Sequence, residues 1–459
     1  MNRRERRAQQ KLASHSKPGQ APAAAALAPL LQRAAAAHRE GRPGEALDLM
    51  RIALRQAPQR ADLLGFAGMV ASEQGLPEEA ARHYRAALAL RPEWAEARHG
   101  LGTALERAGD PEGALEAFRG AVASKPGFAP AHAALGRLLL ERGDAAAAAE
   151  SYRCALRLEP GAAELHRDLG LALERAGHIG EACAAYREAA RLRPDWAQVW
   201  ANLATLAVEQ NDPALALDSC DKWLALTSGN TEALAYKTIA LSALGRREGA
   251  RELLDFDRFV RCTPIEPPAG FADLAAFNRA LVEHVLAHPS LKVPPADDPT
   301  YHCPTLMVSE ELLAGNKGPM AALEDVMNRA VADYIAALPA RGTHPFLVRR
   351  PRQWRLTAWT AVLLGEGVLL PHIHLDGYLS GVYYPQVPRE VLDSPSQEGW
   401  FELGRPPRPL GDGVPEVRAI RPQPGLMLLF PAYMYHRTIP FRSPERRISI
   451  AFDVIPVGD

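Results

Sequence analysis

The first half of the chain repeats with a period of 34 residues, and this period limits the possible folds more than any other feature. Prolines recur at this step, and so do glycines, alanines and aromatic residues. The prolines are Pro58, Pro92, Pro126, Pro160 and Pro194. The glycines are Gly41, Gly75, Gly109, Gly143, Gly177 and Gly245, with Asn211 filling the gap. Several interleaved series with one period indicate a structural repeat.

The order of these residues within one period predicts a pair of helices. Glycine or asparagine favours the left-handed turn that ends a first helix. A small alanine then lets the second helix approach the first, and the aromatic residue four positions later lies on the same face. Proline can begin the next helix but cannot continue the previous one. The alanines are Ala46, Ala80, Ala114, Ala148, Ala182, Ala216 and Ala250, and the aromatic residues are Tyr84, Phe118, Tyr152 and Tyr186.

One repeat shows which family the array resembles. "WAEARHGLGTALERAGDPEGALEAFRGAVASKP", from Trp94 to Pro126, carries nearly all of the pattern W-x2-L-G-x2-Y … A-x3-F … P. The array is thus similar to tetratricopeptide repeats, which implies an all-α solenoid of six to seven units over residues 24–256, with atypical first and last units. The resemblance also implies a groove that binds a protein or peptide; oligomerisation and a rigid spacer are the alternatives. We expect residues 1–23 to form a basic flexible tail.

Composition excludes several classes of protein. The formal net charge of −1 gives no electrostatic footprint for nucleic acid or for an anionic membrane. The five cysteines are scattered and never spaced as CxxC, which argues against a disulfide framework and a zinc ribbon. The sequence shows neither a signal-peptide pattern nor an apolar run of about 20 residues. We therefore expect a cytoplasmic protein whose partners are neither nucleic acid nor membrane.

The sequence pattern changes after about Asp255. Proline-rich stretches such as "TPIEPPAG" mark a linker, and two amphipathic segments follow that predict helices. From Phe346 onward, short runs rich in β-branched and aromatic residues, such as "LSGVYYPQV" and "RRISIAFDVI", predict strands. Helices followed by many strands favour an α+β domain built on a β-sandwich or jelly roll.

Three histidines and an aspartate in this region predict a metal site. His372, His374 and Asp376 alternate in "PHIHLDGYLSGVYYP", so an extended strand would place them on one face. His436 follows a further apolar run, "LMLLFP". Two imidazoles and one carboxylate form the facial triad of non-haem Fe(II) oxygenases, which leaves three metal positions open.

A second set of residues predicts a carboxylate-binding site beside the metal. Arg447, eleven residues after His436, offers a guanidinium that can bind a carboxylate through two parallel hydrogen bonds. Ser449 shares its strand face and adds a hydroxyl donor. Tyr383 and Tyr384 point to opposite faces, so only one can line the pocket, and we assign Tyr384. Together these residues fit a metal that uses a keto acid.

Three stretches then show which family the second half resembles: "HIHLDGYLSGVYY", "PGLMLLFPAYMYHRTIPF" and "RRISIAFDV". Their HxD … H … RxS order resembles the 2-oxoglutarate- and Fe(II)-dependent oxygenases, specifically a bacterial branch fused to tetratricopeptide repeats. The resemblance implies a double-stranded β-helix (jelly-roll) domain over residues 257–459. It also implies Fe(II) and the cosubstrate 2-oxoglutarate, and hydroxylation of a protein or peptide presented by the repeat groove.

The choice of metal ligands stays open at the level of the sequence. We favour His374, Asp376 and His436, and a set of His372, His374 and His436 is the alternative; the fourth group would orient a ligand. Two other functions also remain. One is a non-catalytic interaction scaffold with a degenerate jelly roll. The other is a cupin-type metalloenzyme, although the glutamate expected shortly after the HxH pair is missing and Arg447 would have no role.

Overall fold

The computed structural model describes residues 20–295, 305–339, 344–408, 410–411, 413 and 415–458. Most of the expected basic tail, residues 1–19, lies outside the described residues. The chain divides into two compact units, Met1–Leu192 and Arg193–Asp459. In the described ranges, none of the helices combines the length and apolarity that crossing a bilayer requires. The cytoplasmic location and the boundaries expected at residues 23 and 256 stay predictions.

The first unit is a series of five helix pairs. The first helices of the second to fifth pairs begin at Ala61, Ala95, Ala129 and Ala163, one 34-residue period apart. The predicted helical repeat is therefore confirmed. The helices are α1 (Gln20–Arg39), α2 (Pro43–Gln56), α3 (Ala61–Glu73), α4 (Pro77–Leu90), α5 (Ala95–Arg107), α6 (Pro111–Ser124), α7 (Ala129–Glu141), α8 (Ala145–Leu158), α9 (Ala163–Arg175) and α10 (Ile179–Leu192).

The predicted left-handed turns and aromatic packing are both present. The glycines at the ends of the first helices have φ angles between +69° and +86°, and Asn211, which replaces glycine in the series, has a φ of +57°. Each repeat aromatic packs against a glycine of the preceding helix. In the α5–α6 pair, a Cβ atom placed on Gly102 would lie only 2.6 Å from the ring of Phe118, which is fully buried. Close approach of the helices therefore depends on this glycine.

This contact gives a stability prediction. We expect Gly102→Val to destabilise the protein by about 1–3 kcal/mol, because the added side chain would overlap the ring of Phe118, which is fully buried. The control is Gly161→Ala, where an added Cβ meets no atom within 4 Å, and its effect should stay within about 0.5 kcal/mol. Urea unfolding followed by circular dichroism measures both variants. Equal stability of the two would contradict the packing account.

The second unit joins the last repeat helices to a sheet domain around one hydrophobic core, which extends from Ala201 to Val454. Thr231 and Leu253 of these helices contact the sheet domain directly: the Thr231 hydroxyl donates to the Gly377 carbonyl at 3.4 Å, and the Leu253 carbonyl accepts from the Tyr433 hydroxyl. The helices are α11 (Ala197–Glu209), α12 (Pro213–Leu226), α13 (Thr231–Ala243), α14 (Arg247–Leu254), α15 (Phe256–Phe259), α16 (Leu274–Leu286), α17 (Met320–Ala337), α18 (Pro345–Val348) and α19 (Arg389–Leu392).

The sheet is antiparallel, as the predicted jelly-roll domain requires. Its strands are ordered β1-β7-β4-β8-β3-β2, and β5 and β6 extend it beside β8. Two long neighbouring strands, β3 and β8, carry most of the site. The strands are β1 (Arg261–Pro264), β2 (Leu306–Val308), β3 (Trp354–His372), β4 (Leu379–Gln386), β5 (Phe401–Leu403), β6 (Arg418–Ile420), β7 (Leu426–Pro431) and β8 (His436–Pro456).

The two faces of the sheet have different roles. Tyr383 points toward α16, where its hydroxyl donates to the Asn278 side chain at 2.5 Å. Tyr384 lies on the other face and lines a cavity of about 450 Å³. Alternate residues of β8 line the same cavity, in agreement with the period of two in a strand: Arg447, Ser449, Ala451, Asp453 and Ile455. The sheet therefore presents one face to helices and the other to a cavity.

Candidate metal centre

Three imidazoles meet where the two long strands β3 and β8 adjoin. His372 is the last residue of β3 and His436 the first residue of β8, and the antiparallel register pairs these two residues. His374 follows two residues after the end of β3, and its ring centroid lies 4.9 Å from that of His436 and 5.2 Å from that of His372. Each ring offers one nitrogen, and the three nitrogens lie within 4.8 Å of one another. These histidines could hold a metal ion.

In each of the three rings, Nδ1 forms a hydrogen bond that orients the ring. Nδ1 of His372 contacts the Leu370 carbonyl at 2.7 Å, and Nδ1 of His436 contacts the Met434 carbonyl at 3.1 Å. Nδ1 of His374 lies 2.6 Å from a carboxylate oxygen of Asp453. Carbonyl and carboxylate oxygens only accept, so each Nδ1 must carry the hydrogen. Each Nε2 is left with a free lone pair, which is the form that binds a metal.

Burial keeps two of these rings neutral. It is the main cause that lowers the pKa of His372 to about 4, with a further contribution from neighbouring His374. Burial also lowers the pKa of His436 well below its usual value, and the other two histidines add to the effect. Protonation would therefore not compete with a metal for these two ligands at neutral pH.

Asp376 does not join this group. Strand β3 ends at His372, and Leu375 and Asp376 form a turn that leads into β4. The alternation that would have placed Asp376 beside His374 is interrupted by this turn. Its side chain is exposed at the edge of the cavity, and the three-nitrogen group forms without it.

Arg447 lies in the same cavity as the three histidines and is buried, with 1% of its surface exposed. Its Nε donates to the Gly399 carbonyl at 3.2 Å, and its guanidinium lies 5.1 Å from the ring centre of Tyr384. Within the described residues, Nη1 of Arg447 has no hydrogen-bond partner. A buried cation with an unused donor carries a large desolvation cost, and a bound carboxylate would offset it.

Tyr384 and Ser449 border the same space. The Tyr384 hydroxyl is buried and forms no well-aligned hydrogen bond with a described residue. Burial raises its pKa to about 12, and the neighbouring Arg447 guanidinium opposes this rise. It therefore remains a donor at neutral pH. Ser449 lines the cavity one alternation away from Arg447, and its hydroxyl lies 3.5 Å from the Ala361 carbonyl on β3. The cavity thus combines a possible metal site with a guanidinium and two hydroxyls.

Comparison with protein families agrees with this arrangement. Residues 357–453 match the family described as "Putative 2OG-Fe(II) oxygenase". Residues 27–51, 67–127, 105–152, 133–195 and 169–231 match models of the tetratricopeptide repeat. The chain joins tetratricopeptide repeats to a domain of this oxygenase family. The match covers all three histidines, Tyr384, Arg447 and Ser449 of the oxygenase domain.

Several solved structures resemble part of the chain. MamA is 23% identical and covers 38% of this chain and 94% of its own, with a TM-score of 0.35. YrrB is 20% identical, over 39% of this chain and 91% of its own, with a TM-score of 0.36. A tetratricopeptide repeat protein from Parabacteroides merdae is 16% identical, over 50% and 91%, with a TM-score of 0.38. TM-scores below 0.5 support no functional statement. No curated protein matches the sequence.

Two further residues contribute to the site, although the sequence did not predict a role for them. Asp453 holds Nδ1 of His374, and the Ser380 hydroxyl donates to the same carboxylate oxygen at 2.8 Å. The register of β4 and β8 pairs Ser380 with Asp453. Asp453 lies 79 positions from His374 in the sequence. The sequence contains one indication of its role. Asp453 lies six residues after Arg447 on β8, so strand alternation places it on the same face as Arg447 and Ser449.

Proposed function

We propose that this protein is an Fe(II)- and 2-oxoglutarate-dependent dioxygenase that hydroxylates a protein or peptide bound by its repeats. The observation that carries the proposal is the convergence of three imidazoles whose Nδ1 atoms are all engaged by acceptors. Their free nitrogens offer three ligands from one side and leave positions for a cosubstrate. Imidazoles bind Fe(II) as well as other divalent transition metals, and the match to the oxygenase family favours iron. The ligand set that we propose is therefore His372, His374 and His436.

The wall of the cavity supports 2-oxoglutarate as the cosubstrate. The carboxylate of 2-oxoglutarate that is distant from the iron would accept hydrogen bonds from Nη1 of Arg447 and from the Tyr384 hydroxyl. Neither group has a hydrogen-bond partner among the described residues. Ser449 would add a third donor by exchanging its 3.5 Å hydrogen bond to the Ala361 carbonyl for one to the carboxylate. When bound together, Fe(II) and 2-oxoglutarate deliver one oxygen atom of O2 into a substrate C–H bond and the other into succinate, with loss of CO2. The protein residues orient the cosubstrate and exclude water from the iron.

The repeats support a protein or peptide as the substrate, because helical repeat arrays present long surfaces suited to such partners. Within the second unit, helices α11–α14 share a core with the oxygenase domain, and Thr231 of α13 bonds to Gly377, three residues after His374. A peptide bound along these last helices would therefore lie near the mouth of the cavity. This contact supports presentation of the substrate by the repeats.

An anaerobic titration tests the proposed function. Full-length protein receives Fe(II) with and without 2-oxoglutarate, and the visible spectrum is recorded. A weak charge-transfer band that needs both components is the expected result. Iron binding that is indifferent to the keto acid would favour the cupin alternative, and the absence of iron binding would favour the scaffold.

Asp453 gives a prediction about positioning. Asp453→Asn removes the charge that holds His374, while the side-chain volume is nearly unchanged. We expect the affinity for Fe(II) to fall about 10- to 100-fold, because partners that orient metal-bound histidines typically contribute this much. The matched control is Asp393→Asn, an exposed residue outside the cavity. Anaerobic Fe(II) titration of both variants measures the effect, and an unchanged affinity in Asp453→Asn would contradict the positioning role.

A further inference from the structure

Asp376 occupies a position that the proposed metal chemistry does not explain. It lies on the turn after His374 and lines the metal cavity together with Leu375. The same two residues line a second, smaller cavity of about 210 Å³, which also borders α13. The Asp376 carboxylate is exposed, and within the described ranges it forms no hydrogen bond or ion pair.

The other charged groups of the metal cavity are already engaged. Asp453 accepts hydrogen bonds from His374 and Ser380. Arg437 donates to Glu402 at 2.5 Å, and this carboxylate is nearly fully buried. Arg447 is buried in the wall that we assign to 2-oxoglutarate. Asp376 is therefore the charged group at the mouth of the cavity that remains available to a substrate.

The surface next to Asp376 is apolar. Leu375 is 58% exposed, and it lines the cavity with Trp359, Ile373 and Ile455. The Trp359 ring lies 5.3 Å from that of His374, so an alkyl chain packed on this tryptophan would pass close to the proposed iron. A side chain that combines methylene groups with a terminal positive charge matches such a surface.

The position of Asp376 is fixed by its neighbours. The His374 amide donates to the Ala432 carbonyl at 3.3 Å, and the Tyr378 amide donates to the Val454 carbonyl at 2.9 Å. The turn is thus held at both ends.

Arg349 lines the smaller cavity and has no ion-pair partner in the described part of the chain, so it disfavours a cation on that side of Asp376. On the metal side, Arg437 is paired with Glu402 and Arg447 is assigned to the carboxylate of 2-oxoglutarate, so we place the cation on that side.

We infer that Asp376 selects a basic side chain, lysine or arginine, as the group that enters the oxygenase cavity. The alkyl part of that side chain packs on Trp359 and Leu375, and its charged end pairs with the Asp376 carboxylate. The methylene groups then lie toward the histidines. This inference rests on the proposed function, because it names the substrate class of the same site.

Peptide binding tests the inference independently of turnover. The probes are blocked Gly/Ser-rich peptides that differ only in one central residue: lysine, arginine, norleucine, glutamine or glutamate. Full-length protein loaded with Fe(II) and 2-oxoglutarate without oxygen is titrated by calorimetry. We expect the lysine and arginine peptides to bind about fivefold more tightly than norleucine at low salt. Asp376→Asn should abolish this preference, and Asp376→Lys should favour glutamate.

A matched control and a spectrum separate the possible failures. Asp325→Asn changes an exposed aspartate on α17, outside both cavities, and should retain the preference for basic peptides. The charge-transfer band is recorded on the same samples. A normal band with no preference for basic peptides, or with no peptide binding, overturns this inference and leaves the proposed function intact. Loss of the band from the unmodified protein overturns the proposed function and this inference with it.

Discussion

His372→Ala is expected to lower the affinity for Fe(II) by more than about 100-fold, whereas Asp376→Ala is expected to leave it unchanged. His372→Ala removes a proposed ligand itself. Its loss of Fe(II) affinity should therefore exceed the loss of about 10- to 100-fold that is typical when only a partner orienting a ligand is removed. Asp376 lies outside the group of three converging nitrogens, so its removal takes no ligand away. Anaerobic Fe(II) titration of the two variants measures the difference.

The matched control for this pair is His178→Ala, which removes a histidine that is 58% exposed and belongs to the first unit. Its iron affinity should equal that of the unmodified protein. The reverse result, in which Asp376→Ala loses iron and His372→Ala keeps it, would show that the carboxylate completes the triad. The ligand set favoured from the sequence would then replace the set proposed from the structure.

Arg447→Met is expected to separate cosubstrate binding from iron binding. The variant should retain Fe(II), because the contacts described for Arg447 are with Gly399 and Tyr384 and not with the three histidines. Its affinity for 2-oxoglutarate should fall at least about 100-fold. Loss of a buried guanidinium that pairs with a carboxylate typically has an effect of this size. The charge-transfer band measured against 2-oxoglutarate concentration gives the affinity.

Arg446→Met is the matched control for Arg447→Met. Arg446 is the preceding residue of β8, lies on the opposite face of the strand and is exposed. The Arg446→Met variant should bind 2-oxoglutarate with the same affinity as the unmodified protein. An Arg446→Met variant that loses the band, together with an Arg447→Met variant that keeps it, would reverse the roles of the two arginines.

Much of the fold follows from local rules that the sequence displays. The 34-residue period predicts where the helices begin, and the left-handed turns follow the glycine series even at Asn211. The period of two in β8 places Arg447 and Ser449 on one face, which the cavity confirms. Each of these features depends on residues that are close in sequence, so the pattern alone contains the information.

The metal centre depends on information that local patterns lack. Strand alternation would extend from His372 to Asp376, but β3 ends at His372 and a turn that includes Asp376 follows. The Asp376-Gly377 dipeptide is compatible with this turn but does not fix where the strand ends. The partner of His374 is Asp453, which arrives through the register of β4 and β8. Strand register follows from the packing of the whole sheet. The ligand set that we propose and its supporting hydrogen bonds therefore follow only from the three-dimensional arrangement.

The most direct test of the account counts the imidazoles bound to iron. X-ray absorption spectra of the Fe(II)-loaded, full-length protein distinguish histidine ligands through the scattering of the outer ring atoms. Three imidazoles per iron are expected, with the same count in Asp376→Ala. Two imidazoles and a carboxylate, or a count that falls in Asp376→Ala, would contradict the convergence of His372, His374 and His436 on one metal.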